Sequence, residues 1–300
     1  MNEYNLLKII KNEIDNDFIG DDCAYLKDFG IVITQDSLVE DIHFKRSWCT
    51  PYQLGYKSVV VNISDVLASG AVPKYLTISL SIPNNIDENY IKEFYKGAKN
   101  ALNGAKIVGG DITGSADKLM VSITAIGSTI NRNISSRKHA KEGYIVITSG
   151  NYGSSAAGLN ELINGSSNQE LIKAHLEPSL DYEFSNQIAA IVKESYAMMD
   201  TSDGFADAVF KIAELSNVKI TVDYDKIPHK NNIPKDLVLF GGEDYNLIAA
   251  IPEKYFNKIK NAIIVGKVSK YDGVRLNISG EQFTNYNELR VYNHFGGNNG

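Results

Sequence analysis

Cysteine is scarce in this chain, which has only Cys23 and Cys49 among 300 residues. Two cysteines are too few for a disulfide framework, and they lack the paired short spacing of a zinc site. No stretch approaches the run of about 18 apolar residues that a membrane-spanning helix needs. Residues 1–18 are rich in charge and lack the basic start and apolar core of a signal peptide. We therefore expect a cytoplasmic protein in a reducing compartment.

An excess of positive charge is also absent. The chain has 36 acidic and 30 basic side chains, for a net charge of −6, so it offers no electrostatic footprint for nucleic acid or an anionic membrane. Its content of 43% hydrophobic and 22% charged residues is typical of a globular protein. The length predicts two domains. The polar segment 131–143 marks the boundary, giving domains 1–136 and 137–300 with a disordered tail at 296–300.

The common phosphate-binding loops are missing as well. The sequence contains neither GxxxxGK[ST] nor a GxGxxG after a strand, and no Ser-His-Asp or Cys-His arrangement can be argued from the spacing. Phosphate chemistry in this chain would therefore depend on metal ions. The glycine-rich segment 150–158 has two open interpretations: its amides present a helix N-terminus to an anion, or it only forms a tight turn.

One predicted helix carries an acid in apolar surroundings. Thr50 is suited to the N-cap and Pro51 to the first turn, and the pattern continues to about Ser69. Apolar residues surround this helix, which predicts burial on nearly all sides. The polar line formed by Ser58, Asn62, Asp65 and Ser69 follows the helical repeat. Because a carboxylate is costly to bury unpaired, Asp65 must face a cation or a strong donor.

The remaining pattern mixes helices and strands and predicts an α+β fold. We predict further helices at 3–14, from a cap at Asp87 to about 102, around 181–195, and from Ser202 and Asp203 onward, with strands at 30–36, 75–83, 107–111, 118–130 and 144–148.

Acids recur beside glycine, serine or threonine. Such neighbours allow close approach to an ion, and oxygen ligands favour hard cations such as Mg²⁺. Taken singly, each acid is also typical of a turn, a solvated charge or a helix cap, and the last applies to Asp203 in particular. His43 is either a substrate contact or a histidine with a purely structural role. Arg137 is either a phosphate ligand or a solvated surface arginine. The acidic groups are Asp21 with Asp22, Asp36, Asp65, Asp111, and Asp200 with Asp203.

Nine motifs in order resemble those of the thiamine-monophosphate kinases, within the superfamily of ATP-using enzymes that includes aminoimidazole ribonucleotide synthetase. They are Ile19 to Ala24, Asp36 with Val39 to Phe44, Tyr56 to Ala71, Gly109 to Asp111, Ser154 to Leu159, His175 to Pro178, Asp200 to Gly204, Gly241 to Tyr245, and Tyr292 to Phe295.

This resemblance implies a two-domain α+β chain. The sheet of its N-terminal mixed α/β domain pairs across a homodimer, and helices cover the sheet of its C-terminal α+β domain. The implied activity is Mg²⁺-dependent transfer of the γ-phosphoryl group of ATP to thiamine phosphate, with several Mg²⁺ ions. Because the acceptor is already an ionised phosphate, no general base is required.

The resemblance also assigns residues to three groups. The metal shell comprises Asp22, Thr34, Gln35, Asp36, Asp65, Asp111, Asp200 and Asp203. The nucleotide contacts are Tyr95, Gly110, Asp111, Arg137 and Ser202, and the acceptor pocket contains His43, Glu243 and Tyr292, where an aromatic ring suits a thiazolium cation.

Three residues depart from the family pattern. Gln35 and Ile112 each replace threonine, and Glu177 replaces an arginine that could bind phosphate. The lost arginine keeps a non-catalytic nucleotide or thiamine-phosphate binding protein open as an alternative. Other enzymes of the superfamily are a second alternative, although the reactive cysteines expected of selenophosphate synthetase or the hydrogenase-maturation enzyme are missing.

Overall fold

Helices and strands follow one another in a mixed order. The computed structural model describes residues 3–14 and 18–291. Its helices are α1 (Glu3–Ile14), α2 (Pro51–Ala68), α3 (Glu88–Ala101), α4 (Ser154–Asn164), α5 (Gln169–Leu176), α6 (Tyr182–Ile191), α7 (Phe205–Leu215) and α8 (Lys235–Phe240). Its strands are β1 (Ala24–Leu26), β2 (Ile31–Val39), β3 (Val72–Ile82), β4 (Lys106–Gly114), β5 (Met120–Ser128), β6 (Tyr144–Thr148), β7 (Ala197–Asp200), β8 (Val218–Val222), β9 (Leu247–Pro252), β10 (Ile263–Lys270), β11 (Leu276–Ile278) and β12 (Glu281–Phe283).

The strands form two separate sheets, which confirms the predicted α+β class. The first has the order β1-β2-β5-β3-β4, and its only parallel pair is β3 with β4. The second has the order β12-β11-β8-β10-β6-β9-β7, with β11 parallel to β8 and the other pairs antiparallel. Each sheet is built from one half of the chain. Among the described residues, no helix is both long enough and apolar enough to cross a lipid bilayer.

Helix α2 begins where the sequence predicts. The Thr50 hydroxyl accepts a hydrogen bond from the Gln53 amide at 3.2 Å, and the Gln53 side-chain oxygen accepts from the Thr50 amide at 3.0 Å. This reciprocal pair satisfies two amide groups that the first turn leaves without helical partners. Pro51 at the first helical position needs no such partner.

Helix α2 lies between the two sheets. It contacts β2, β3 and β5 on one side and β7 and α6 on the other. Along β6, Ile145 and Ile147 join the apolar cluster that contains α2, whereas the alternate residues Tyr144 and Val146 join a second cluster around α7. The second sheet is therefore buried on both faces, and α2 is covered on all sides as predicted.

Glycines hold α3 unusually close to α2. A Cβ atom at Gly55 would lie 2.0 Å from the carbonyl oxygen of Phe94, and one at Gly97 would lie 1.8 Å from that of Tyr52. Since no side chain fits in either gap, the two backbones are in direct contact. This contact fixes the helix that carries Asp65.

Three predictions about elements need correction. The helix expected to start at Ser202 and Asp203 starts at Phe205, with Gly204 at its N-cap and no side-chain cap. Asp203 therefore does not take the N-cap role that the sequence left open as an alternative. The helix expected to reach residue 195 ends at Ile191, and the short strand β1 was not predicted. The tail at 296–300 lies outside the described residues.

Candidate active site

Three carboxylates from distant parts of the chain meet beside α2. One oxygen each of Asp22, Asp65 and Asp200 lies within 4.8 Å of the other two. Asp22 precedes β1, Asp65 lies on α2 and Asp200 ends β7, so the cluster draws on both sheets. Oxygens on opposite sides of a Mg²⁺ ion lie about 4.2 Å apart. This all-oxygen donor set fits a hard divalent cation, although adjacent ligand oxygens of Mg²⁺, about 3.0 Å apart, would require the carboxylates to move inward.

Hydroxyl groups hold two of these carboxylates. Thr34 on β2 donates to Oδ2 of Asp65 at 2.6 Å, and Ser64 on α2 donates to Oδ2 of Asp200 at 2.5 Å. Each carboxylate is therefore held by a donor from a different element. The cluster is fixed in place without a bound ion.

The carboxylates oppose one another's ionisation. Burial raises the pKa of Asp65 well above its ordinary value, and repulsion from neighbouring carboxylates, first that of Asp36, adds to the rise. Burial and repulsion from Asp22 raise the pKa of Asp200 to about 7. A divalent cation would offset this repulsion and hold both groups ionised.

Arg137 is not the solvated surface arginine that the sequence left open. Two nitrogens of its guanidinium donate to Asp22, Nη2 to Oδ1 at 2.8 Å and Nε to Oδ2 at 3.3 Å. The side chain of Asp22 is 3% exposed and that of Arg137 is 16% exposed. The backbone amide of Arg137 also donates to Asp21 at 2.7 Å. The segment between the sheets thus supplies a cation to the carboxylate cluster.

Asp36 lies beside the cluster, where its charge acts on Asp65 and Asp200, and Asp203 lies in the loop after β7. Asp36 is two residues beyond Thr34 on β2 and so shares its face of the strand. Its amide donates to the side-chain oxygen of Asn62 on α2 at 3.0 Å. Asp203 forms an ion pair with Lys211 at 3.1 Å, and the adjacent Ser202 accepts a hydrogen bond from the Glu243 amide at 2.7 Å.

Gln35 and Asp111 lie on the other face of the first sheet. Gln35 hydrogen-bonds to Ser122 at 3.3 Å and to Thr124 at 2.9 Å across β5. Asp111 is exposed and pairs with Ser79, which in turn pairs with Ser122. Since residues directly opposite one another share a face, neither side chain joins the three-carboxylate cluster within this chain.

Gly110 and Tyr95 are the remaining residues assigned to the nucleotide. A Cβ atom at Gly110, whose φ is 155°, would lie 1.8 Å from the carbonyl oxygen of Ile78. Glycine is therefore required where β4 approaches β3. Tyr95 lies half-buried on α3, with its ring edge-on to Phe94 at 5.4 Å between centroids.

The glycine-rich segment 150–158 already binds an anion from this chain. The buried carboxylate of Asp244 accepts from the amide of Gly153 at 2.6 Å and from that of Ser155 at 2.9 Å. These amides open α4, where a negative charge is stabilised. The anion at this helix N-terminus is therefore the carboxylate of Asp244.

His43 lies at a recess beside α2, and Glu243 contacts two of the residues that line it, Lys57 and His175. His43, Trp48, Lys57 and His175 all line the recess. Glu243 binds Lys57 at 3.0 Å. His43 accepts a hydrogen bond from the Val39 amide at 3.0 Å through Nδ1. The third residue predicted for the acceptor pocket, Tyr292, lies outside the described residues.

Sequence reasoning missed the buried polar partners of these groups. Lys57 lies in the same apolar helix as Asp65, so the argument that singled out Asp65 applied equally to Lys57. Asn62 was already part of the predicted polar line, whereas Ser64 carried no such signal, because a small polar residue in a helix is common. Glu177, which replaces the expected arginine, accepts a hydrogen bond from Gln53 at 3.0 Å.

Comparison with known proteins agrees with this geometry. Residues 20–129 match the family described as "AIR synthase related protein, N-terminal domain". The thiamine-monophosphate kinase of Bacillus subtilis (strain 168) is 32% identical over 92% of this chain and 93% of its own. A solved structure described as "AaThiL complexed with AMPPCP and TMP" superposes with a TM-score of 0.89 at 31% identity, covering 98% of this chain and 97% of that one.

The thiamine-monophosphate kinase of Aquifex aeolicus (strain VF5) shows the same full-length similarity. Because its sequence is 33% identical over 91% of this chain and 94% of its own, the chain described here belongs to the thiamine-monophosphate kinase family.

Proposed function

We propose that this chain transfers the γ-phosphoryl group of ATP to thiamine phosphate, forming thiamine diphosphate and ADP. The observation that carries the proposal is the cluster of Asp22, Asp65 and Asp200 beside α2, in a chain that matches thiamine-monophosphate kinases over nearly its full length. The neighbour in complex with AMPPCP and TMP supports ATP and thiamine phosphate as the two substrates.

Mg²⁺ is the ion that the cluster fits. When bound, Mg²⁺ would screen the negative charge on the phosphates and on the group in transfer. Asp22, Asp65 and Asp200 would hold it, with Asp36 and Asp203 at the edge of the same site. Thr34 and Ser64 keep the carboxylates oriented. The protein therefore contributes alignment and charge screening, and the ionised acceptor phosphate needs no general base.

The other predicted site residues keep their proposed roles in binding metal, nucleotide or acceptor. We propose Arg137 as a phosphate contact, and its ion pair with Asp22 at the cluster supports this role. Gln35 could serve through its backbone carbonyl, since its side chain faces away from α2. We retain Tyr95, Gly110, Asp111 and Ser202 as nucleotide contacts, and His43, Glu243 and Tyr292 as the acceptor pocket.

The assay for this proposal follows both products. Purified protein with ATP, Mg²⁺ and thiamine phosphate is expected to form ADP and thiamine diphosphate in equal amounts, measured by chromatography. Omitting thiamine phosphate or adding EDTA should each stop ADP formation, because the acceptor and the metal are both required. Binding of both ligands by calorimetry without any thiamine diphosphate would instead support the non-catalytic alternative.

We also propose that the chain forms a homodimer through its first sheet. Strand β4 is an exposed edge, and Tyr75, Val108, Ile112 and Met120 are exposed apolar residues on this sheet. The unpaired backbone groups of such an edge can pair with another chain. Light scattering after size exclusion is expected to give twice the chain mass, and Val108→Glu to give a monomer. A wild-type monomer at micromolar concentration would refute the dimer.

The division at residues 136 and 137 and a cytoplasmic location remain predictions.

A further inference from the structure

A buried lysine lies behind the acceptor pocket. The side chain of Lys57 is only 4% exposed. Its ammonium group lies 3.0 Å from Oε2 of Glu243 and 3.4 Å from Nε2 of His175. The three residues come from α2, the loop before β9, and α5. A lysine is rarely buried unless it is paired, so this position calls for an explanation.

The charges at this contact are well defined. Burial, followed by repulsion from Lys57, lowers the pKa of His175 to about 4, so its imidazole is neutral at pH 7. Burial acts against ionisation of Glu243, but the neighbouring groups, Lys57 first among them, together outweigh it and lower the pKa of Glu243. Lys57 therefore supplies the full positive charge that balances Glu243.

The hydrogen bonds of His175 follow from this charge state. Because the ammonium group donates to Nε2, the neutral imidazole carries its proton on Nδ1. Nδ1 lies 3.1 Å from the Ser155 hydroxyl and 3.3 Å from Oε2 of Glu243. The imidazole thus fills the space between α4 and the Glu243 carboxylate without adding charge.

Glu243 itself is held from several directions. Its φ is 65°, an uncommon value for a residue other than glycine. Its amide donates to the Ser202 carbonyl at 2.7 Å, and its carboxylate binds Lys57. The side chain remains 28% exposed, so part of the carboxylate is left for a ligand. This arrangement presents one negative charge beside a recess that contains Trp48 and His43.

We propose that Lys57 is a positioning residue for the acceptor: it fixes the Glu243 carboxylate where it meets the cationic heterocycle of thiamine phosphate. The inference rests on the proposed function. It differs from a purely structural role for Lys57, which would affect both substrates alike. In this proposal Lys57, which borders the recess, acts through Glu243 and not by direct contact with a substrate.

The test compares substrate affinities in charge-removing variants. Lys57→Met is expected to raise the KM for thiamine phosphate about tenfold or more while kcat and the KM for ATP change about threefold at most. Lys57→Arg keeps the charge and should recover part of the lost affinity. Lys173→Met, which changes an exposed lysine on α5, is the matched control and should leave each KM unchanged.

A double variant separates positioning from packing. If Lys57 acts through Glu243, Lys57→Met combined with Glu243→Gln should have no higher KM for thiamine phosphate than Glu243→Gln alone. The double variant also leaves no buried charge unpaired, so it carries the test if Lys57→Met folds poorly.

Three results would overturn the inference: an unchanged KM for thiamine phosphate in Lys57→Met, additive effects in the double variant, or a parallel loss for both substrates. A wild-type protein that forms no thiamine diphosphate would instead refute the proposed function.

Discussion

Replacing Asp65 with asparagine is expected to lower kcat for thiamine diphosphate formation by about a thousandfold or more, equivalent to about 4 kcal/mol of transition-state stabilisation. Asp65 forms the carboxylate cluster together with Asp22 and Asp200. Asparagine keeps the shape and can still accept the hydrogen bond from Thr34, but it removes the charge that would hold Mg²⁺. The measurement is steady-state product formation at saturating Mg²⁺.

The same variant should be more stable than wild type without metal. A carboxyl whose folded pKa lies above its unfolded value loses stability as pH rises from the unfolded pKa through the folded one. Burial raises the pKa of Asp65 in this way, so at pH 8 its charge opposes folding. Asp65→Asn is therefore expected to melt at a higher temperature than wild type in EDTA and to gain less from added Mg²⁺.

The exposed Asp225 provides the matched control for this pair of measurements. Asp225→Asn makes the same chemical change away from the cluster and should leave kcat and both melting temperatures near those of wild type. Near-normal turnover in Asp65→Asn would remove Asp65 from the metal shell. A lower melting temperature in EDTA would show that its charge does not oppose folding.

Replacing Arg137 with methionine should have the opposite effect on stability. The guanidinium forms a two-point ion pair with the nearly buried Asp22. Removing one partner of such a pair leaves an uncompensated charge, which costs about 3–5 kcal/mol. In EDTA, Arg137→Met is therefore expected to lower the free energy of unfolding in urea by that amount. Mg²⁺ should restore part of the loss, because it also balances the carboxylates.

Arg290 is the control for Arg137, because it is also an arginine in ion pairs but lies at the surface. It forms ion pairs with Asp236 at 3.4 Å and Glu281 at 3.1 Å, but its side chain is 53% exposed. Arg290→Met should cost less than about 1 kcal/mol, as is usual for surface pairs. Equal losses in the two variants would mean that Arg137 behaves as an ordinary surface arginine.

The sequence predicted α2 and its buried acid well because both depend on local patterns. The cap at Thr50, the proline after it and the apolar surroundings are all read within 20 residues. The helical repeat placed Asp65 on an internal line, and an unpaired internal acid implied a cation. These arguments required no knowledge of which other segments lie nearby.

Local sequence patterns could not predict which acids join Asp65 in the carboxylate cluster. Asp22 and Asp200 reach Asp65 only through the packing of two sheets on α2, and no local pattern encodes that packing. Gln35 is different, because side chains alternate along a strand. If Thr34 and Asp36 face α2, the side chain between them must face away, so its position could have been predicted.

Two alternatives stayed open in the sequence because short-range chemistry had more than one solution. Asp203 is suited to a helix N-cap, yet Gly204 begins α7 and Asp203 pairs with Lys211. The amides at the start of α4 are suited to a phosphate, yet Asp244 occupies them. In both cases a partner distant in sequence competes for the same group, and only the fold shows which partner prevails.

The position of α2 between the two sheets has a consequence for synthesis of the protein. Ser64 and its partner Asp200 are separated by 136 residues along the chain. At a translation rate of about 5–20 residues per second, this interval lasts roughly 7–27 s. During that time the first sheet can cover only one side of α2, and the nascent chain presents the other side, which carries Ser64, to the ribosome surface and to chaperones. The metal site therefore cannot be completed until the chain has been synthesised through Asp200, in its second half.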